Sequence, residues 1–448
     1  MEEYSCILNS DKNTLHLQNI LKINKLKSLF LILTIIVSFN LSAQINDVYN
    51  NFYLHKIDSA GQRIYLGVNS TFSSNSVKTA FFNKILTKDY IDNATKQLNN
   101  ITDKNYLISE NTNVISYIIK PDSFASHTDV GFKFDIVNLN RITSLFSKDL
   151  YNIAFYGNKS YAGKTADFTD SYYKSLTYQK INFGLFKHAS DTSNNDKITY
   201  YAGFSIINGQ DYKMVYLNNS SLFTSETGEY IDFNMQMSYD YAKNGKTDFL
   251  ENRGIGGAFN FNLTYENTKY NYFVNLSIED LGLIRWNSYS YSTRVDSNMH
   301  FEGVEIANIL DIDNYSAGNL TKDSLMSQIT DNTKRYSFTT GLNEKINLSL
   351  SKSLLKNNLF TTVGIGYLYN TEQPIPVFYG RTNYKFNKIF AANIQVAYGG
   401  FTGFQYGLGV LLNFKEFCLY LGSNNPLGFV LTDLSYSQNI FLRAGFNF

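Results

Sequence analysis

The chain has 448 residues and a formal net charge of +1, so its charge balance gives no reason to expect a nucleic-acid partner or an acidic protein partner. Only 17% of the residues are charged, whereas Tyr and Phe number 35 each and Pro only 4. This composition suits long, uninterrupted strands with aromatic residues at two membrane interfaces.

The N-terminal part predicts a cleaved secretory signal peptide. Residues 1–20 are polar and look like neither a signal nor a domain, so we interpret them as a gene-model extension. Residues 21–43 carry three lysines, then the apolar run Leu29 to Leu41, then small residues before Gln44. Basic, apolar and small residues in this order are typical of a secretory signal, and we expect cleavage after Ala43. An N-terminal anchor helix is the alternative, although the apolar run is short for a membrane span.

Residues 44–448 are predicted to form one outer-membrane β-barrel. The first strand candidate is Arg63 to Phe72. Residues 77–126 break the alternating pattern, because several apolar residues there recur at helical spacing. These residues are Phe82, Ile85, Leu86, Ala94 and Leu98. We therefore expect a helix-bearing excursion that either caps the barrel or sits in its mouth, where it could act as a plug.

Strand signals recur along the rest of the chain, each with apolar and polar residues in alternation. The alternating segments begin at Val130, Ile181, Ile198, Ile231, Ile255, Tyr270, Ile346, Leu359, Phe390, Phe404 and Phe417. Most are on the order of ten residues long, as a tilted membrane crossing requires. The polar row is small and rarely charged, which favours a crowded barrel interior over the wet face of a soluble sandwich. The pattern predicts an all-β fold, a transmembrane antiparallel β-barrel of roughly 14 strands.

Several further positions follow from this barrel pattern. Asp232, Asp240 and Arg443 fall on the inward row. Residues 291–334 are predicted to form a long outer loop, with a helix-like part from Lys322 to Ile329. If the C-terminus lies in the periplasm, Asn387-Lys388 and Lys415-Glu416 are periplasmic turns.

The last strand candidate ends on an aromatic residue. Ile440, Leu442, Ala444, Phe446 and Phe448 form one apolar row that continues to the final carboxylate. A barrel must close its last strand against its first, so its terminal residue is structural. The row resembles the C-terminal assembly signal of bacterial outer-membrane proteins, which makes outer-membrane lipid and the barrel-assembly machinery the expected partners. An edge strand of a soluble sheet is the alternative.

Two features near the middle of the chain are assigned to a turn and an interface. Asp280-Leu281-Gly282 is predicted to be a tight turn in which Gly282 supplies a positive φ. Trp286 is predicted to lie at a membrane interface, with its ring in lipid and its N–H in water.

Short glycine-containing motifs follow one another along the chain. They are Tyr156-Gly157-Asn158, Asn208-Gly209, Arg253 to Gly256, Glu279 to Trp286, and the C-terminal Asn439 to Phe448. In this order they resemble an uncharacterised outer-membrane β-barrel family of Bacteroidota, which is distantly similar to the FadL/TodX group of long-chain fatty-acid transporters. The resemblance extends from about Ile64 onward and implies a barrel that passes or binds a small hydrophobic molecule. It carries over no functional residue. An Asn-Pro-Ala segment expected near Asn46 is missing, which also counts against the type IX secretion barrels.

The sequence has no catalytic constellation. No pair of His residues has ligand spacing, and neither a nucleophile elbow nor a phosphate loop occurs. We therefore predict no catalytic residue, no metal and no cofactor, and we do not expect an enzyme. The functional hypotheses are passage or binding of a small, possibly hydrophobic, molecule, or a structural or secretion-associated barrel that scaffolds partners without transport.

Overall fold

The computed structural model of the protein describes residues 61–191, 195–242, 252–302, 333–368, 376–414 and 416–448. The predicted extension, the signal peptide and the helix-like part from Lys322 to Ile329 lie outside these residues. Within them, no helix combines the length and the apolar character that a membrane crossing by a helix requires.

Strands dominate the described residues. In chain order they are β1 (Gly61–Ser74), β2 (Asn105–Lys120), β3 (Val130–Phe146), β4 (Lys164–Asp167), β5 (Ser171–Asp191), β6 (Asp196–Leu217), β7 (Ser221–Thr224), β8 (Tyr230–Tyr241), β9 (Gly254–Asn267), β10 (Tyr272–Trp286), β11 (Tyr291–Glu302), β12 (Thr333–Arg335), β13 (Thr339–Gly341), β14 (Lys345–Leu354), β15 (Leu359–Leu368), β16 (Val377–Lys385), β17 (Phe390–Gly399), β18 (Gly403–Asn413), β19 (Phe417–Ser423) and β20 (Ser437–Asn447). The helices are α1 (Thr79–Thr87), α2 (Asn93–Gln97), α3 (Lys148–Tyr156) and α4 (Leu427–Val430), with short 3-10 turns at Lys159–Tyr161 and Leu355–Asn357.

Fourteen of these strands form a closed antiparallel barrel. Around the barrel the order is β1, β2, β3, β5, β6, β9, β10 and then β14 to β20. The barrel closes where β20 pairs with β1, with Ala444 opposite Leu66. At the end of this pairing the Phe448 N–H donates to the Gln62 carbonyl at 3.0 Å. The antiparallel barrel and its approximate strand number, both predicted from alternation, are confirmed. We call the end with Gly61 and Phe448 the terminal end, and the opposite end the loop end.

Contacts across the barrel identify the inward row of each strand. Lys345 Nζ lies 3.4 Å from Glu110 Oε1, although β14 and β2 are not neighbours in the sheet. The opposite row is apolar and exposed on every barrel strand except β1. Its members include Ile115, Ile136, Ile181, Ile206, Phe259, Leu283, Leu348, Val363, Phe378, Ile394, Leu408, Leu421 and Ile440. Since water would penalise so much exposed apolar surface, this row, which we call the belt, faces lipid.

Aromatic side chains border the belt at the terminal end. The rings of Phe386 and Phe390 lie 5.2 Å apart, and those of Phe417 and Phe446 lie 5.0 Å apart. Phe390 and Tyr398 are both in the outward row of β17, about 26 Å apart at ~3.3 Å per residue. With a strand tilt of ~40°, this is roughly 20 Å along the barrel axis, somewhat less than the ~25 Å apolar band of membrane barrels. The β16–β17 and β18–β19 connections, predicted to be turns on one side, both lie at the terminal end.

At the loop end the sheet branches beyond the barrel, and we call this branch the second sheet. The last residues of β6, Lys213 to Leu217, pair with β8, which in turn pairs with β7 and β11. The prediction that Ile231 to Tyr241 is a barrel strand with inward Asp232 and Asp240 is therefore wrong. The carboxylates of these two residues pair with His300 and Arg294 of β11 instead. Alternation identifies a half-buried strand but not the sheet to which it belongs.

The predicted outer loop 291–334 also contains part of this second sheet. Its first residues form β11, and Thr333–Arg335 forms β12, which pairs with the start of β11. The strand was missed because one row of β11 is strongly polar, with Arg294, Asp296 and His300 exposed. The central part of the predicted loop lies outside the described residues.

The helix-bearing excursion is shorter than the predicted range 77–126. It contains α1 and α2, and β2 begins already at Asn105. The alternation of β2 is hidden in the sequence because its outward row is polar near the loop end. The residues of this polar row are Ser109, Asn111 and Asn113.

The excursion also does not occupy the mouth of the barrel. Phe82 of α1 stacks on Phe72 with ring centroids 3.7 Å apart. Phe72 pairs with Ser109, whose neighbour Glu110 points inward, so Phe72 points outward. Leu107 and Phe146 pack in the same cluster. The helices therefore lie on the outer flank of β1 to β3, and the expectation of a plug is wrong for this segment.

Candidate functional site

The candidate site is the barrel interior beside a distortion in β10. The predicted tight turn at Asp280-Leu281-Gly282 is wrong, because β10 continues through it. Its pairing with β9 shifts between Ile278 and Leu281, so two residues of β10 lie opposite Asn260 alone. This is a β-bulge, and Asp280 takes the positive φ of 59° that was expected at Gly282. The bulge moves the outward row from even to odd positions. In the sequence this interrupts the alternation of apolar residues, so the pattern predicts a strand end there.

Gly282 has a different role from the predicted one. A Cβ at this position would lie 2.1 Å from the Gly257 carbonyl oxygen on β9. The glycine is therefore required by the close approach of two backbones next to the bulge, and not by a turn.

The bulge places the Asp280 carboxylate in the interior. Asp280 forms an ion pair with Lys180 of β5, and its side chain is only 6% exposed. The Tyr178 hydroxyl donates to the same carboxylate at 3.2 Å. The Asp280 backbone N–H donates to Asn260 Oδ1 at 3.0 Å, which holds the bulge in place.

Polar contacts continue from Asn260 across the interior. Asn260 Nδ2 donates to Asn182 Oδ1 at 2.9 Å, and Asn182 Nδ2 donates to Asp135 Oδ2 at 2.8 Å. Asp135 is paired with Lys133 at 3.0 Å. Because each amide both donates and accepts, one connected network links β10, β9, β5 and β3.

A second group of charges adjoins the same cavity through Lys345, which lines it. Glu110 is ion-paired with Arg141, with side-chain exposures of 4% and 3%, and also with Lys345. We refer to these charged side chains together as the ionic layer. Its members are Glu110, Asp135, Glu279 and Asp280 with Lys133, Arg141, Lys180 and Lys345. Acids and bases balance in number, as buried charges require.

The cavity inside the ionic layer is small. It measures about 60 Å³ and has polar and charged walls. At ~15 Å³ per water it has room for about four water molecules.

Trp286 is not at a membrane interface, so that prediction is also wrong. Its side chain is 0% exposed and its ring lies 5.4 Å from the ring of Tyr212. Its indole N–H donates to Thr340 Oγ1 at 2.9 Å. The error has the same cause as the one at Asp280, because beyond the bulge the even positions of β10 face the interior.

Trp286 belongs to an apolar filling that lies between the ionic layer and the loop end. We call this filling the aromatic layer. It consists of Trp286, Tyr212, Phe338, Tyr178, Leu139, Leu176, Ile207, Ala258, Ile284, Leu342, Met214 and Ala242. Tyr178 belongs to this layer and also donates to Asp280, so the two layers are in direct contact.

The predicted assembly residues lie on β20 at the seam of the barrel. Ile440, Leu442, Ala444 and Phe446 are in the outward row, opposite Ser70, Val68, Leu66 and Ile64 of β1. Phe448 is 63% exposed at the terminal end. Arg443 is in the other row, which is the inward position predicted for it. The role of this row in assembly stays a prediction.

Sequence reasoning missed the ionic layer as a group. Lys133 and Asp135 alternate with Phe132, Phe134 and Ile136. Their inward position could therefore be predicted from the sequence. Their partners on β5, β9 and β10 come from distant segments, and only the sheet order brings them together. Within the described residues, no group of three or more His, Cys, Asp or Glu is placed to hold a metal ion.

Comparisons with solved structures found barrels that resemble this chain. The Pseudomonas putida toluene transporter TodX has 10% identity and a TM-score of 0.44, covering 92% of this chain and 95% of that chain. A Pseudomonas aeruginosa FadL homologue has 9% identity and a TM-score of 0.45, covering 89% and 93%. The Salmonella typhi outer membrane phospholipase has 9% identity and a TM-score of 0.28, covering 88% and 94%.

No curated protein matches the chain. Residues 44–424 match the model of a family described as "Family of unknown function (DUF5723)". Because this match covers most of the sequence, the chain belongs to that family.

Proposed function

We propose that the protein is an outer-membrane β-barrel that binds a small hydrophobic molecule in its aromatic layer and passes it toward the terminal end. The observation that carries the proposal is the order of the two layers in the interior. A molecule entering from the loop end meets apolar and aromatic side chains first, and the ionic layer lies beyond them. Ligand sites for small molecules are mostly apolar with a few placed polar groups, such as the Tyr178 hydroxyl here.

The ionic layer gives such a barrel selectivity. Within the described residues, paired and hydrogen-bonded charges surround a cavity of only about 60 Å³, which is small for a hydrated ion. Separating a buried pair is costly, because it leaves an uncompensated charge. The proposal therefore includes a barrel that conducts few ions at rest, unlike a diffusion porin.

Trp286 provides an internal reporter for the test, because it is the only Trp in the chain and is buried in the aromatic layer. The purified barrel, in detergent, is titrated with toluene, with decanoate and with glucose as a polar control. We expect a saturable change of Trp286 emission with one of the apolar probes and none with glucose. Tyr212→Ala should weaken this binding by about tenfold, since losing ~1–2 kcal/mol of aromatic contact has that effect.

A matched control keeps the test specific. Leu283→Ala removes an exposed apolar side chain of the belt on the same strand and should leave the titration unchanged. A barrel whose Trp286 emission responds to neither apolar probe up to the solubility limit would contradict the proposal. An equal effect of Tyr212→Ala and Leu283→Ala would also contradict it.

A structural or secretion-associated barrel is the second candidate, and one observation favours it. The second sheet built on β6 presents a polar row at the loop end, with Asp240 and Arg294 paired across β8 and β11. Such a surface could scaffold a partner without transport, and a secretion-system component would be one example. Recovery of one defined partner under mild detergent, lost on Arg294→Glu, would favour this candidate. Repeated recovery of the barrel alone would count against it.

A further inference from the structure

We infer that residues 77–100, which contain α1 and α2, and residues 427–434 form a collar that rests on the lipid surface beside the barrel at the loop end. We call these segments the flank collar. The inference depends on the membrane location in the proposed function, but not on any ligand or its passage. Its occupant is the boundary of headgroups and acyl chains in the adjacent leaflet.

The first argument is the side of the wall on which the flank collar lies. Phe82 of α1 stacks on Phe72, and Asn83 Oδ1 accepts from Gln438 Nε2 at 2.8 Å. Phe72 and Gln438 are direct partners in the β1–β20 pairing and belong to the outward row. The helix therefore stands outside the wall, directly above the place where lipid meets the barrel.

The second argument is that residues 427–434 are fixed to α1. The Thr79 hydroxyl lies 3.1 Å from the Gly428 carbonyl and 3.0 Å from the Thr432 carbonyl. The Ala80 N–H also donates to the Thr432 carbonyl at 3.1 Å. These contacts make one rigid unit of two segments that are far apart in sequence.

The third argument is the apolar surface that this unit leaves uncovered. Tyr90 is 83% exposed, Val430 is 76% exposed and Leu434 is 70% exposed. Ile85, Leu86, Phe429 and Leu431 are exposed as well. Immersion of such side chains in a lipid boundary gains roughly 25 cal/mol per Å² of apolar surface. If the flank collar faced water, this exposed apolar surface would be unfavourable.

The fourth argument is continuity with the belt. On β20 the outward row passes from Gln438, beneath α1, directly to the exposed Ile440 of the belt. Leu421 on the neighbouring β19 is exposed at the same level, opposite Leu442. The apolar surface of the flank collar thus adjoins the lipid-facing surface without an intervening strand.

Charge supports the same occupant. Residues 77–100 contain four Lys and two Asp, and residues 427–434 add Asp433, so the flank collar carries a net charge of +1. Lys88, at the end of α1, is exposed beside Leu86 and Tyr90. Basic residues beside apolar ones on a short helix favour the surface of an anionic lipid layer.

Depth-dependent quenching tests the inference on the full chain. Val430→Trp and Tyr90→Trp are reconstituted separately in vesicles of phosphatidylcholine and phosphatidylglycerol, with and without bromine on the upper acyl carbons. The wild type provides the background, because Trp286 is 0% exposed. Ile394→Trp in the belt is the positive control, and Tyr289→Trp is the negative control; the two native residues are each 61% exposed.

We expect Val430→Trp and Tyr90→Trp to be quenched at least half as strongly as Ile394→Trp. Quenching no stronger than that of Tyr289→Trp would overturn the inference and leave a protein partner or a second copy as the occupant. Absence of quenching for Ile394→Trp itself would instead show that the barrel is not in the bilayer, which is a failure of the proposed function. Each variant is first confirmed as folded by its faster migration in unheated gels.

Discussion

Gly282 lies beside the bulge of β10, where no side chain fits between β10 and β9. We predict that Gly282→Ala destabilises the barrel by about 1–3 kcal/mol, because its Cβ forces the two backbones apart. Urea unfolding in lipid vesicles measures this change. Gly61→Ala is the matched control, since a Cβ there meets nothing within 4 Å, and should have almost no effect. Equal stability of the two variants would show that the β9–β10 contact is looser than described.

Asp280 provides a prediction about the ionic layer. Asp280→Asn leaves the buried Lys180 without its carboxylate, so we expect a loss of about 3–5 kcal/mol in the free energy of unfolding. The double variant Asp280→Asn/Lys180→Met removes both charges and should recover most of this loss. Planar-bilayer recordings should find more ion conductance in the single variant than in the wild type. A double variant as unstable as the single one would argue that the pair does not act as a unit.

His300 provides a prediction about pH. Its hydrogen bond with the Asp232 carboxylate raises the pKa of the imidazole above its ordinary value. A raised pKa means that the pair adds stability below about pH 6.5 and loses it as the pH rises through the higher value. Proton NMR of the imidazole should therefore give a pKa above 6.5, and Asp232→Asn should lower it. A pKa that is the same in both proteins would contradict the pairing.

At the same scale, sequence reasoning failed at Asp280 and Trp286 for one physical reason. Side chains of a strand alternate between its two faces, so a face is assigned by counting residues along the strand. A bulge adds one residue, and every later residue is then assigned to the wrong face. The residues around Glu279 do not distinguish a bulge from a turn, because Asp-Leu-Gly is also a good turn sequence. Trp286 was then assigned to the wrong face of the wall.

Among the elements, the sequence predicted most strands whose outward row is apolar and missed strands whose outward row is polar. The exception is β16, which was missed although Phe378 belongs to the belt. β17 and β18 have clear alternation, since Ile394 and Leu408 face lipid. The first half of β2 and the whole of β11 lie beyond the lipid-facing part of the wall. Outward side chains there do not have to be apolar. Alternation reports contact with lipid or with a core, so it detected β8, whose Met235 and Met237 are buried outside the barrel, but it did not detect β11.

For α1, we predict that Phe82→Ala detaches the helix from the wall. The ring is buried against Phe72, and its removal should cost about 3–5 kcal/mol of local stability. Hydrogen exchange should then find faster exchange at the α1 amides, with β14 to β18 unchanged. Leu86→Ala, at a position that is 51% exposed, is the control and should preserve the protection of α1. Loss of protection throughout the barrel would mean that α1 is part of the global folding unit.

For the whole molecule, the closed barrel was predictable because it follows from one physical requirement on the backbone. Every backbone polar group in lipid must be paired, so long alternating strands with one apolar row imply closure. The layers of the interior were not predictable, because they depend on which distant strands become neighbours. Glu110, Lys345 and Asp280 come from three separate parts of the chain.

The closing strand provides the prediction at this scale. We expect deletion of Phe448, or Phe448→Asp, to reduce the amount of barrel in the outer membrane severalfold, because the assembly row loses its terminal aromatic. Membrane fractionation followed by immunoblotting measures this. Tyr289→Asp changes an aromatic residue of matching exposure, 61% against 63%, away from the seam. If both variants accumulate like the wild type, the terminal aromatic is dispensable.

The seam between β1 and β20 has a consequence for how the chain reaches its folded state. Asn439 Nδ2 donates to the Ser70 carbonyl, a contact between residues 369 positions apart. Loop-closure entropy makes such a contact slow to form. Until β20 pairs with it, β1 has one unpaired edge, and an unpaired edge favours aggregation. Closure of the barrel therefore requires β1 and β20, which are far apart in the sequence, to find each other.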